Sequence, residues 1–152
     1  MLFRRALLAT ALILPLAACD TGDTTDETVT AERFAGEMGR DTTDNAFRVV
    51  LNSDTDALTV GQNDLTFRLG MRDPHDPEAP GFGIPNARID LDVWQPNGDG
   101  TMSVEPDIFY IGEGEYRIEN VVVPESGVWQ FDFTVKVGET MMDSVELAFE
   151  IL

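Results

Sequence analysis

Residues 127–152 read GVWQFDFTVKVGETMMDSVELAFEIL, and this stretch decides the fold. Trp129, Phe131, Phe133, Val135 and Val137 alternate with Gln130, Asp132, Thr134 and Lys136. Val145, Leu147, Phe149 and Ile151 alternate with Ser144, Glu146, Ala148 and Glu150. Successive side chains of a strand point to opposite faces, so a period of two sets one apolar row against a core and one polar row in water. The two rows predict two strands separated by a turn at Gly138, where glycine permits positive φ.

The same period runs back toward the amino terminus. It is carried by Phe47, Val49 and Leu51, by Leu65, Phe67 and Leu69, and by Ala87, Ile89, Leu91 and Val93, with Glu105–Ile111 and Glu115–Val123 completing seven strands. Between them lie turn-forming stretches: Asn52–Asp56, Pro96–Gly100, Gly112-Glu113-Gly114 and Pro124–Gly127. Proline ends a ladder by removing a donor, and glycine tolerates the turn. Short strands with no helix between them predict an all-β, immunoglobulin-like β-sandwich over residues 46–152. Antibody-type domains join their sheets with a cysteine pair that this chain lacks, so packing must hold the core. Trp129, Phe131, Phe133, Tyr116, Phe67 and Leu91 are the residues expected there. Arg72–Asn86, with four prolines, is expected to be an exposed loop of the kind on which sites tend to sit.

Ahead of this domain the texture changes. Residues 20–44 are rich in Thr, Asp and Glu and show no alternation, so residues 19–45 read as an acidic linker. Within it, Ala31–Gly39 could form two helical turns, capped by Thr30 and with Phe34 and Met38 one turn apart. Residues 1–18 have the parts of a secretory signal: Arg4 and Arg5, an apolar run from Ala6 to Leu16, and small residues before Cys19. That run is too short for a bilayer, which takes about 20 residues. Leu16-Ala17-Ala18-Cys19 resembles the lipobox of bacterial lipoproteins, which implies that Cys19 is lipidated and becomes the first residue of the mature protein. Several acyl chains on one residue hold a protein at a membrane far better than one. The expected location is therefore extracytoplasmic and lipid-anchored. Asp20, directly after the cysteine, resembles a signal for retention at the periplasmic face of the inner membrane.

From Gly83 onward the chain resembles the YtkA-like and FixH-like group of extracytoplasmic domains. The resemblance is carried by Ile84-Pro85-Asn86-Ala87-Arg88-Ile89, Val93-Trp94-Gln95-Pro96, Gly112-Glu113-Gly114-Glu115-Tyr116 and Val123-Pro124-Glu125-Ser126-Gly127-Val128-Trp129. In that family the segment after the proline carries methionines and histidines, which implies copper handling through soft and borderline ligands. Here the segment departs from the pattern and reads Asn97-Gly98-Asp99-Gly100-Thr101-Met102, so only Met102 keeps a soft donor. A copper site would have to assemble Met102 with His75, the sole histidine, and Met71. The competing expectation is that no cofactor binds, that His75 is solvated, and that Met71 fills a core gap.

Composition narrows the function classes. The formal charge is −18, and loss of Arg4 and Arg5 with the signal makes it −20, which disfavours nucleic acid and anionic lipid headgroups. Membrane contact is thus expected through the anchor alone, with an envelope protein as the possible partner. One histidine, one cysteine committed to the anchor, and serines confined to turns and strand edges leave no nucleophile and base pair, so a non-catalytic binding or accessory role is expected.

Overall fold

The computed structural model describes residues 30–79, 81–98, 100–102 and 105–152. Alternation becomes architecture in eight strands: β1 (Met38–Asp41), β2 (Phe47–Ser53), β3 (Gly61–Met71), β4 (Arg88–Trp94), β5 (Asp107–Gly112), β6 (Glu115–Val123), β7 (Gly127–Val137) and β8 (Met141–Ile151). They form two antiparallel sheets, one of order β1-β2-β3-β6-β5 and one of order β4-β7-β8. With β1 set aside, the sheets β2-β3-β6-β5 and β4-β7-β8 follow the constant-type immunoglobulin arrangement. The fold is thus a β-sandwich. Among the described residues no helix is long and apolar enough to cross a membrane.

The apolar rows face one another between the sheets. Trp129, Phe131, Phe133, Phe67, Leu65, Leu69 and Phe149 are fully buried, and Tyr116 and Leu91 nearly so. Phe67 of β3 stacks on Phe133 of β7, with ring centroids 4.8 Å apart. These are the two strands that antibody domains join by a disulfide, so a ring pair links the sheets here. On β6 the core-facing residues are Ile118, Val121 and Val123, a spacing that breaks the period of two by one residue. A bulge opposite Asn63–Leu65, with Asn120 at φ 65°, absorbs the extra residue and returns Val121 to the core.

The structure corrects the reading of the acidic stretch. Met38–Asp41, inside the residues 19–45 read as linker and overlapping the helical turns expected at 31–39, is strand β1, paired with β2 so that Met38 faces Leu51. The packed unit therefore begins before residue 46. Upstream, Glu32 bridges Phe149 in parallel, with hydrogen bonds from its N–H to the Ala148 carbonyl and from the Glu150 N–H to its own carbonyl, both 2.9 Å. The segment thus touches the smaller sheet first and the larger sheet second, closing one side of the sandwich. Phe34 and Met38 are both buried, Phe34 edge-on to Phe149 at 5.4 Å. Their four-residue spacing mimicked a helix because the chain crosses between sheets there.

Asp143 clamps this closure. Its carboxylate accepts hydrogen bonds from the Thr42 hydroxyl (2.5 Å) and from the backbone N–H groups of Asp44 (3.0 Å), Ala46 (3.2 Å) and Ser144 (2.8 Å). Burial by itself raises its pKa, but the Thr42 bond and the three N–H donors together hold it below the ordinary carboxylate range.

Candidate functional site

The opposite side of the sandwich is where the two sheets stand open. β4 and β5 are edge strands of different sheets, joined by residues 95–106, and a groove of about 500 Å³ lies between them. Its apolar lining comes from Ile89, Leu91, Val93, Met102 and Ile108, and its acidic rim from Asp90, Asp92 and Glu105. The turn after β4 folds back on the strand: Trp94 bridges Thr101, the Gln95 N–H donates to the Gly100 carbonyl (2.8 Å), and the Met102 N–H donates to the Val93 carbonyl (3.0 Å). This short hairpin sets the Met102 side chain, half-buried against the core, inside the groove. A carbon on Gly100 would lie 2.6 Å from the Gln95 amide oxygen and 3.0 Å from the Trp129 ring, so a side chain here would displace Gln95 and crowd the core ring.

Trp94 points the other way, onto the outer face of the small sheet. Its indole N–H donates to Asp132 (2.7 Å), and Gln130 donates to the other oxygen of the same carboxylate (2.9 Å). Asp92, Asp132 and Glu146 form one cross-strand row, where like charges destabilise one another unless donors intervene. Sequence alternation turned each of these carboxylates outward, but neither their alignment nor the donors from Trp94 and Gln130 could be read from it.

The expected soft donors are distributed over two places. Met102 lines the β4–β5 groove, whereas Met71 lines a second cavity with Arg72, Asp73, Pro74 and Phe82. Met71 is 44 % exposed at the end of β3. His75 is exposed beyond it and sits 3.4 Å from the Asp73 carboxylate. Among the described residues no three or more His, Cys, Asp or Glu side chains cluster to hold a metal ion. Met102, Met71 and His75 are therefore not gathered in one cavity. Cys19 and Asp99 lie outside the described residues.

The Arg72–Asn86 segment is more ordered than a simple loop. The Met71 N–H donates to the Phe82 carbonyl (3.0 Å) and the Ile84 N–H to the Leu69 carbonyl (3.0 Å), so its end returns along β3. Tyr116 pins it: its hydroxyl accepts from the Ala87 N–H (2.8 Å) and donates to the Ile84 carbonyl (2.7 Å). Burial raises the Tyr116 pKa, keeping the phenol a donor.

These features define a constant-type sandwich with one closed and one open side. Its fold is similar to that of a copper-bound variant of FetP from uropathogenic Escherichia coli, with a TM-score of 0.51 and 11% identity over 78% of this chain and 95% of that one. No protein-family model matches the sequence. No curated protein matches it either.

Proposed function

We propose that this protein is a lipoprotein tethered through Cys19 to the extracytoplasmic face of a membrane, and that its sandwich works by binding rather than catalysis. Copper handling is the better supported of two cargo readings. The observation that carries it is the fold likeness to a copper-bound protein, and the thioether of Met102 in the β4–β5 groove adds to it. Copper in this reading is cargo, met in the groove by a single soft donor, the Met102 thioether. That donor differs from the Met- and His-rich set implied for YtkA-like domains. The other reading, an accessory module for an envelope protein, is supported by the same groove: an apolar floor with an acidic rim suits a cationic, partly apolar segment.

Titration of the mature lipoprotein in detergent with Cu(I) and Cu(II) separates the two. Copper handling predicts an affinity tighter than micromolar that weakens at least about tenfold in Met102→Ala, the loss of one good ligand interaction. Absence of such affinity, or indifference to Met102, refutes copper as cargo and leaves the protein-binding role.

A further inference from the structure

We propose that the outer face of the five-stranded sheet carries a second site, which binds a small organic molecule through its carboxylate. In register across this face lie Gly39 of β1, Val50 of β2 and Arg68 of β3, with Arg48 one step along β2 opposite Asp41 and Gly70. A groove of about 520 Å³ opens here, lined by Arg40, Arg48 and Arg68 with Glu37 and Glu78. Three arginines along one groove stand out in a chain with 10 basic and 28 acidic residues. The site is remote in the fold from the β4–β5 groove and does not rest on the copper reading.

The guanidinium of Arg48 is the floor of the groove. Arg48 is only 8 % exposed and lies across Gly39, where a Cβ would come 2.7 Å from its Nη2. One Nη donates to Asp41 at 3.0 Å, and the other reaches Glu78 at 3.5 Å. Its Nε is buried and has no hydrogen-bond partner among the described residues. Arg68 makes a single long hydrogen bond among those residues, to the Gly81 carbonyl at 3.4 Å. Arg40, by contrast, is held by Glu32 and serves as background charge. Arg48 and Arg68 therefore carry more donors than they have acceptors. An incoming carboxylate that displaces the long Glu78 contact gains charge-assisted hydrogen bonds from Arg48 Nη2 and Arg68.

The chemistry of the occupant follows from what surrounds those donors. Glu78, 90% exposed on the proline-rich loop, already brings a carboxylate to the edge of the groove and acts as an internal competitor. Val50 supplies apolar wall for the body of a molecule, and the volume falls in the range typical of small-molecule sites. The overall negative charge repels a doubly charged phosphate more than a single carboxylate.

The test uses the mature lipoprotein in detergent micelles, with benzoate as probe and the arginine Nε–H resonances as readout. Expected are saturable shifts of Arg48 and Arg68, with exposed Arg88, paired to Asp90 on β4, unmoved. Glu78→Gln removes the competitor and tightens benzoate binding about two- to fivefold, as an exposed ion pair allows. Arg68→Gln weakens it by about tenfold or more, as loss of a charged hydrogen bond requires. Parallel, unsaturable shifts of Arg48, Arg68 and Arg88 would overturn the proposal. So would benzoate binding indifferent to Glu78→Gln, a variant on an exposed side chain that leaves the fold intact. Tighter saturation by inorganic phosphate than by benzoate would overturn the carboxylate assignment.

Discussion

Asp143→Ala is the perturbation that tests most directly how the acidic amino-terminal stretch is held. The substitution removes the acceptor of four hydrogen bonds, three of which tie residues 42–46 to the start of β8 while the fourth comes from the adjacent Ser144 N–H. A hydrogen bond to a charged group contributes about 1.5–3 kcal/mol net. The four do not add. Thr42 can turn its hydroxyl to the Phe47 carbonyl at 3.1 Å, and the partly exposed N–H groups of Asp44 and Ala46 regain water. The expected cost is therefore about 2–4 kcal/mol, well short of the sum. At about 3–5 °C per kcal/mol for a domain of this size, thermal melting followed by circular dichroism should show a drop in Tm of about 6–20 °C at pH 7. The pH dependence gives a second check. The folded-state pKa of Asp143 is lowered relative to the unfolded chain, so its stabilisation is fully present above the ordinary carboxylate range and is lost as pH falls through the lowered value. The gap in Tm between parent and variant should stay constant around neutrality and shrink only in acid. A Tm within about 2 °C of the parent at pH 7, or a gap that persists undiminished into strong acid, would refute the reasoning.

Trp129→Ala removes a fully buried ring whose indole N–H donates to the Glu125 carbonyl at 3.0 Å, and urea denaturation should report a loss of about 3–5 kcal/mol; a change below about 1 kcal/mol contradicts a core role. Cys19→Ala should release the protein from membranes or leave an unprocessed precursor, read by fractionation and by mass spectrometry of the amino terminus. Normal processing with unchanged membrane partition would dispose of the lipid anchor.

Most of the sandwich was legible because strand formation on a half-buried sheet leaves a local signature. Phe131, Phe133, Leu147 and Phe149 each sit two residues from another core residue, and that spacing needs no knowledge of partners. β1 was not legible, since Met38–Asp41 contributes one buried residue, Met38, and is held by β2 rather than by its own composition. The bulge at Asn120 was hidden for a related reason: a single extra residue reads as noise until the facing strand shows which side it must restore.

The candidate sites were less legible than the fold. Sequence alone determined the two-residue period, the turns and the Met- and His-poor segment after Pro96, all properties of neighbouring residues. Tertiary structure alone decided that Met102 and Met71 line different cavities, that Asp92 and Glu105 share the rim of one groove, and that Arg48, Arg68 and Glu78 converge on another. The physical reason is that strand order and register set which distant side chains meet. Those are chosen by the packing of the whole core, whereas periodicity reports only which face each residue takes.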